Sequence, residues 1–258
     1  MPLTSELERV RDFWQTAPCG TNDVRAIADE RERFRELERM RDAREPFIAR
    51  FARFSDTRGS NLLEVGVGAG TDHVRFARAG ARCHGVDLTP AAVELTKRRV
   101  ETEGLKSDLR VANAELLPFP DASFDVVYSW GVIHHTPDTR RSAKEILRVL
   151  RPGGRFCVMV YNRHSLVALQ AWIRFGLLRG KPFTSRAELI ARHVESPGTK
   201  AYSSSEAAAL FAGAAKVSVE TVVTAYDLRL GRRFFLPHWT WRFTPSRLGW
   251  FHVVEGVR

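Results

Sequence analysis

The sequence is poor in cysteine. Cys19, Cys83 and Cys157 are the only three in 258 residues, far apart and without the Cys-x-x-Cys spacing of metal and redox sites. A disulfide framework is excluded as the basis of the fold, because stapled domains carry many closely spaced cysteines. We expect reduced thiols and a cytoplasmic location.

Long apolar runs are also missing. The best one, residues 166–178, is interrupted by Gln170 and Arg174 and is shorter than the roughly 20 residues that a membrane-spanning helix needs. The first six residues lack the basic start and apolar stretch of a secretory signal. We therefore expect no transmembrane segment.

Acidic residues are fewer than basic ones, 30 against 40, and the net charge is +10. Such a balance is typical of proteins that meet nucleic acid, an anionic membrane or an acidic substrate, although a generally basic composition would produce it too. In residues 25–53 the basic side chains alternate with Asp and Glu. That alternation favours a solvated helix face.

What the sequence does contain is a glycine-rich turn. Residues 61–66 form an apolar predicted strand, Gly66, Gly68 and Gly70 follow, and residues 71–79 have the pattern of a helix. Glycines allow a ligand to approach the main chain, and the N–H groups of the next helix favour carboxylate or phosphate oxygens. The dinucleotide fingerprint would need glycine at position 71, where the residue is Thr71.

A second predicted strand ends in Asp87, at the distance at which Rossmann-like folds place a carboxylate for ribose hydroxyls. The alternative is that Asp87 caps the helix that begins near Thr89 and Pro90. Further strands at 109–112, 124–130 and 155–161 alternate with helices at 90–103 and 139–150. This rhythm predicts an α/β fold, with a parallel sheet and helices on both faces.

Four stretches make the pattern specific. The spacing Glu-x-Gly-x-Gly-x-Gly at residues 64–70 resembles the first motif of class I S-adenosylmethionine (SAM) dependent methyltransferases. Residues 113–129, 131–138 and 145–154 resemble the UbiE-like group of small-molecule methyltransferases. The resemblance covers about residues 60–161. It implies a Rossmann-like class I methyltransferase fold, a seven-stranded mostly parallel sheet with an antiparallel last strand, here residues 250–257 beside 217–223.

The resemblance also implies a cofactor, SAM, and a set of contacts to it. Asn113 stands where an acid usually accepts from the adenine amine, and its amide oxygen can still accept that hydrogen bond. Trp130 follows the fourth strand, where it either faces the cofactor or packs in the core. The predicted cofactor-binding residues are Glu64, Gly66, Gly68, Gly70, Asp72, Asp87, Leu88, Asn113, Ala114, Glu115 and Trp130.

His134 and His135 lie in the loop after the fourth strand, where the substrate should meet the methyl group. In resembling enzymes this pair can contain the general base, and imidazole suits that role near neutral pH. We expect one of the two to be catalytic and the other to pack or to hold the loop. Neither histidine shares a metal-ligand spacing with other residues, so we expect no metal.

The segments outside the resemblance should determine which substrate binds. We predict a helical lid at residues 1–56 over a SAM-binding domain at 57–258, with an insertion at about 163–203. The alternative for the first segment is simple packing on the sheet edge. Candidate pocket residues are Phe13, Trp14, Tyr161, His164 and Tyr202.

Residues 229–248 interleave arginine with aromatic side chains. Three interpretations are open: a wall of an aromatic substrate pocket, a surface for anionic lipid or nucleic acid, or a loop anchored by tryptophans.

Together these features predict a methyltransferase acting on a small or medium-sized, hydrophobic metabolite at an oxygen, nitrogen or carbon atom. The loop at 129–131 lacks the Asn/Asp-Pro-Pro-aromatic turn of base-modifying enzymes, so DNA is not expected as a partner. The alternatives are a non-catalytic SAM-binding module with a nucleic-acid or anionic-lipid partner, and SAM-assisted chemistry without methyl transfer. Oligomeric state stays open.

Overall fold

A computed structural model describes residues 5–16, 18, 20–230 and 234–258. Cys19 and part of the basic-aromatic stretch therefore lie outside the described residues. The strands are β1 Asn61–Val65, β2 Arg82–Asp87, β3 Ser107–Val111, β4 Phe124–Trp130, β5 Leu150–Asn162, β6 Ala201–Tyr202, β7 Lys216–Val222, β8 Arg229–Leu230, β9 Phe234–Phe235 and β10 Phe251–Val257. The helices are α1 Ser5–Thr16, α2 Glu30–Arg44, α3 Ile48–Ala52, α4 Thr71–Arg78, α5 Pro90–Thr102, α6 Thr139–Val149, α7 Leu166–Ala171, α8 Arg186–His193 and α9 Ser204–Ala209.

The main sheet has the strand order β3-β2-β1-β4-β5-β10-β7. Strands β1 to β5 pair in parallel, and β10 runs antiparallel to both of its neighbours. The two-residue β6 adds a short parallel pairing at the end of β5. The predicted fold class, including the antiparallel final pair, is confirmed.

Alternate residues along the strands belong to two apolar clusters, one on each face of the sheet. Leu63 and Val65 of β1 pack in one cluster with α6 and α9, whereas Leu62 packs in a second cluster with α3, α4 and α7. Since successive side chains of a strand point to opposite faces, helices cover both faces of the sheet. The carboxyl ends of the parallel strands are left to form a site.

Strand β5 begins earlier than the sequence indicates. The sequence predicts that this strand begins at residue 155, but Leu150 already pairs with Phe124. The backbone of Gly153 and Gly154 then exchanges hydrogen bonds with Arg258 at the chain end. Glycine has no side chain to block this approach. Hydrogen bonds to distant parts of the chain therefore extend the strand through residues 151–154.

The N-terminal helices are fixed by ion pairs to the helices behind the glycine-rich turn. Glu38 of α2 is contacted by Arg75, Arg78 and Arg99, and Arg99 is fully buried. The interpretation of this region as a solvated charged face holds only for its outer side. Among the described residues, no helix combines the length and apolar character required to cross a bilayer.

The pairing of β10 with β5 and β7 leaves no room at Gly256. A Cβ there would lie 2.3 Å from the Lys216 carbonyl oxygen and 2.4 Å from the Phe156 ring. We expect Gly256→Ala to lower the free energy of unfolding by about 2 kcal/mol and Tm by roughly 5 °C, measured by thermal denaturation. Gly213→Ala is the control, because its Cβ would make only an ordinary 3.5 Å contact. Equal Tm values for the two variants would contradict this packing.

Candidate functional site

The turn after β1 is shaped by glycines in the left-handed region. Gly66 has φ 85° and Gly68 has φ 53°. A Cβ on Gly66 would lie 2.1 Å from the Val132 side chain, so no larger residue fits there without displacing the loop after β4. A Cβ on Gly68 would meet nothing within 4 Å. The loop backbone therefore faces open space at the ends of the strands.

Asp87 ends β2 beside that turn. One carboxylate oxygen accepts a hydrogen bond from the Gly68 N–H at 3.1 Å, and the other accepts from the Thr89 N–H and hydroxyl. The cap of α5 is Thr89 itself, which accepts from the Ala92 N–H. Burial raises the pKa of Asp87, and the hydrogen bonds from Thr89 and Gly68 oppose that rise. The carboxylate is thus held rigidly at the edge of the open space.

The next strand brings Asn113 to the same place. Its amide oxygen accepts from the Glu115 N–H at 3.0 Å, which leaves one lone pair for a ligand. The Glu115 carboxylate turns away and accepts from the Asp138 N–H at 2.7 Å.

Five polar groups, four of them buried and Arg41 partly so, form a network on the other side of the glycine turn. Asp72, at the start of α4, binds Arg41 of α2 at 2.6 Å and accepts from the Tyr128 hydroxyl at 2.9 Å. Arg41 also pairs with Glu45 at 3.1 Å, and Glu45 accepts from the Trp130 indole at 2.7 Å. Burial opposes the charge on Asp72, but Arg41 outweighs it and lowers the pKa of that carboxyl.

Glu64 is buried in the middle of the sheet. Its carboxylate lies 2.8 Å from His73 Nδ1, and His73 Nε2 lies 2.7 Å from the Ser107 hydroxyl. Burial is the largest influence and raises the pKa of Glu64 to about 7. Glu64 and His73 thus join β1 to α4 beneath the glycine turn.

One continuous cavity of about 820 Å³ connects these groups. Of the predicted cofactor residues, Glu64, Gly66, Gly68, Asp72, Asp87, Leu88, Asn113, Ala114 and Trp130 line it, whereas Gly70 and Glu115 do not. The far half is mostly aromatic and apolar. Its wall includes Trp14, Tyr161, Phe175, Tyr226, Trp250 and Phe251.

The two histidines after β4 have different surroundings. His134 is fully buried between the His135 and Tyr161 rings, with centroids at 4.2 and 4.0 Å, and does not line the cavity. Burial, with His135 and Lys200 nearby, lowers the pKa of His134 well below its usual value. These surroundings favour the neutral form of His134 and keep its ring away from the cavity.

His135 lines the cavity and is held on both ring nitrogens. Nδ1 lies 2.8 Å from the Ser196 hydroxyl and 3.0 Å from the Thr199 hydroxyl, and Nε2 lies 3.2 Å from a Glu195 oxygen. The same Glu195 oxygen accepts from the Tyr161 hydroxyl at 2.7 Å. Burial alone would raise the pKa of Glu195, but the interactions with His135 and Tyr161 outweigh it and lower that pKa.

Glu195 has φ 56°, a left-handed conformation that costs a non-glycine residue on the order of 1 kcal/mol or more. Such strain persists where the surrounding structure holds the side chain in place, and it clusters at functional sites. Here it directs the carboxylate toward His135. Together His134, His135 and Glu195 place ligand atoms within 4.8 Å of one another, a possible cation geometry that their spacing in the sequence did not indicate.

Of the predicted pocket residues, some line the cavity and others do not. Trp14 and Tyr161 line the cavity, and the Trp14 ring lies 5.3 Å from the His135 ring. Phe13 packs edge-on against Trp14 but points outward, His164 is exposed, and Tyr202 packs on the opposite core cluster.

Among its described residues, the basic-aromatic stretch at 229–248 contributes one side chain to the wall. Arg229 lines the cavity, whereas Trp239 and Phe243 are exposed and contact each other with ring centroids 6.2 Å apart. Arg232 and Arg233 lie outside the described residues.

Comparison with known proteins identifies the central part of the chain. Residues 63–158 match the family model described as "Methyltransferase domain". The uncharacterized methyltransferase YcgJ of Bacillus subtilis is 35% identical over 99 residues, 38% of this chain and 39% of that protein. Over these residues the chain is similar to methyltransferases.

The methyltransferase domain has further relatives. The phthiotriol/phenolphthiotriol dimycocerosates methyltransferase of Mycobacterium tuberculosis is 42% identical over 103 residues, which cover 39% of this chain and 37% of that protein. The chain spans about two fifths of the length of the curated relatives it matches. The geranyl diphosphate C-methyltransferase of Streptomyces coelicolor has the same fold, with a TM-score of 0.63, 20% identity, and coverage of 100% of this chain and 99% of that one.

Three charged residues of the site were not predicted from the sequence: Arg41, Glu45 and Glu195. All three lie in segments that the resemblance does not cover, and each is one charged residue among many. A weak signal existed for Glu195, because it precedes Ser-Pro-Gly-Thr, a run that predicts a turn.

The buried network predicts that Arg41 contributes more to the stability of the fold than the exposed arginines of α2 do. We expect Arg41→Met to lower the free energy of unfolding by about 3 kcal/mol, because Asp72 and Glu45 would remain buried without their cation. Adding Asp72→Asn should restore part of that loss, measured by urea denaturation.

Arg39→Met is the matched control on the same helix, since Arg39 is exposed and, among the residues that the structure describes, pairs only with Glu36. It should leave stability essentially unchanged. If both single variants behaved alike, the Arg41 network would contribute no more than a surface ion pair.

Proposed function

We propose that the chain is a SAM-dependent methyltransferase acting on a hydrophobic small molecule that carries a hydroxyl or amine, with His135 and Glu195 as its proton-accepting pair. One observation carries the proposal. A single cavity joins the glycine turn, Asp87 and Asn113 to an aromatic half into which His135 and Glu195 project.

The polar half of the cavity suits an adenosyl ligand. Open space at Gly68 admits a ligand against the backbone, Asp87 can accept from ribose hydroxyls, and Asn113 can accept from an adenine amine. Leu88 and Ala114 would flank the base. Bound there, SAM supplies an electrophilic methyl group.

The hydrogen bonds around His135 suggest how it is oriented. The Thr199 hydroxyl donates to the Ser196 carbonyl oxygen at 2.6 Å, so it can only accept from His135 Nδ1. If Nδ1 donates to Thr199, Nε2 is free to take a proton beside Glu195. If the Ser196 hydroxyl, 2.8 Å away, donates to Nδ1 instead, Nε2 donates to Glu195 and the carboxylate is the proton acceptor. A nucleophile placed beside this pair can transfer its proton to Nε2 or to the carboxylate as it reacts.

The aromatic half would position the acceptor and exclude water. Tyr161 stacks on Trp250 with centroids 4.1 Å apart, and both rings form the wall next to Glu195. Alignment of the acceptor with the methyl group supplies much of the rate in such a reaction. A flat apolar substrate with one polar group matches this lining.

We further propose that residues 1–56 act as a lid on the domain at 57–258. Support comes from the cavity wall, to which this segment contributes Leu7, Val10, Trp14, Leu37, Met40, Arg41, Arg44 and Glu45. The network around Arg41 would hold the lid against the glycine turn.

Calorimetric titration with S-adenosylhomocysteine tests the cofactor site, with NADH as a negative control ligand. We expect micromolar binding to the native protein and a loss of about tenfold to a hundredfold for Asp87→Ala, because a charge-assisted hydrogen bond contributes about 1.5–3 kcal/mol. Asp108→Ala on the neighbouring strand is the control, since Asp108 pairs with Arg110 outside the cavity. Unchanged affinity of Asp87→Ala would refute the ribose assignment.

Transfer of a labelled methyl group from SAM to a panel of phenols, aryl amines and isoprenoid alcohols tests the reaction. With an acceptor in hand, His135→Asn and Glu195→Gln should each lower kcat by roughly 10²–10⁴ while S-adenosylhomocysteine affinity is retained. His164→Asn and Glu188→Gln are controls outside the cavity. Treatment with EDTA should not alter the rate.

Full activity of both site variants would place the proton acceptor elsewhere. Loss of activity with EDTA, restored by a divalent cation, would instead make His134, His135 and Glu195 a metal site. Binding of S-adenosylhomocysteine without transfer to any acceptor would favour the non-catalytic module.

A further inference from the structure

The insertion after β5 carries an exposed apolar surface. We call residues 172–186 the basic-apolar segment; it follows α7 as a π-helical turn, Trp172–Gly176, and a short 3-10 turn, Leu177–Arg179. Ile173 is 38% exposed, Leu177 47%, Leu178 76% and Phe183 100%. A cluster of large apolar side chains in one short exposed segment is typical of an interaction site.

The charged side chains of this segment are all basic. No Asp or Glu occurs between residues 161 and 187, whereas Arg174, Arg179 and Lys181 are exposed. None of these three cations forms an ion pair within the described residues. By contrast, Glu38 on α2 binds several arginines at once.

The segment is held in a defined shape. The Phe175 ring stacks on His193 at 4.2 Å and lies under the Arg174 and Arg179 guanidinium groups at 5.0 and 5.3 Å. The Trp172 indole donates to the Pro182 carbonyl oxygen at 3.0 Å. The apolar side chains are therefore presented outward by an ordered turn, which lowers the entropic cost of binding.

The same segment also reaches the cavity. Ile173, Arg174 and Phe175 line its aromatic half, and Leu177 and Leu178 follow directly on the outer surface. Apolar side chains thus continue from the exterior to the interior along one stretch of chain.

We propose that the basic-apolar segment docks on an anionic lipid bilayer, so that apolar acceptors can enter the cavity from the membrane surface. Leu177, Leu178 and Phe183 would insert among the headgroups, and Arg179 and Lys181 would bind lipid phosphates. Apolar area and basic charge together supply the affinity of such peripheral binding. The docking surface is independent of the transfer step, so it can be tested whether or not the proposed function holds.

The residue types favour lipid over nucleic acid. Single-stranded nucleic acid is bound by aromatic rings on which bases stack, whereas three of the four exposed apolar side chains here are Leu or Ile. Branched aliphatic chains have no flat face for a base but insert readily into an acyl boundary.

Co-flotation with vesicles tests the proposal. The native chain should bind vesicles of phosphatidylcholine mixed with phosphatidylglycerol at least about tenfold more tightly than vesicles of phosphatidylcholine alone, and high salt should weaken the binding. Arg179→Gln with Lys181→Gln should weaken it about thirtyfold. Leu178→Ser with Phe183→Ser should weaken it by at least about tenfold.

Matched controls lie on other faces of the chain. Val111→Ser removes an exposed apolar side chain, and Lys97→Gln with Lys144→Gln removes two exposed cations; both should bind vesicles like the native chain. Equal Tm values in all variants would show that each is folded.

Three results would overturn the proposal: no vesicle binding, equal binding to neutral and anionic vesicles, or variants of the segment that bind like the controls. Salt-sensitive binding to an RNA oligonucleotide without any to vesicles would assign the surface to nucleic acid instead.

Discussion

The ion pair between Arg41 and Asp72 is the contact on which the arrangement of the cavity depends. Asp72 begins the helix that follows the glycine turn, and Arg41 belongs to a helix that precedes the whole sheet in the chain. Because both groups are largely withdrawn from water, neither is stable there without the other. The pair therefore fixes the N-terminal helices on the turn, and Glu45 extends the same constraint to Trp130.

A second constraint acts at the opposite side of the cavity. His135 follows β4, whereas Ser196, Thr199 and Glu195 come from the insertion some sixty residues later. The hydroxyls hold one ring nitrogen and the carboxylate faces the other. The insertion thus brings an acid beside a histidine that the central domain supplies.

These two constraints give the cavity its polarity. The half near the glycine turn is bordered by buried charges that are already paired, and the half near the insertion is bordered by stacked aromatic rings. Under the proposed function, the polar end of the cofactor and an apolar acceptor would meet near His135. The exposed basic-apolar segment extends the apolar half outward. Under both proposals, the insertion after β5 would therefore select the substrate and also deliver it.

What the sequence determined by itself was the local and periodic part of the protein. The glycine turn, the alternation of strands and helices, and Asp87 at the end of β2 depend on short-range backbone preferences and regular burial, which are written into consecutive residues. Other features required the tertiary structure. Arg41, Glu45 and Glu195 look like ordinary surface charges until the fold places them beside partners far away in the chain, and His134 and His135 differ only because one lies beneath Tyr161 and the other opens on the cavity. Long-range contacts decide these roles, since desolvation and pairing depend on what the rest of the chain places nearby.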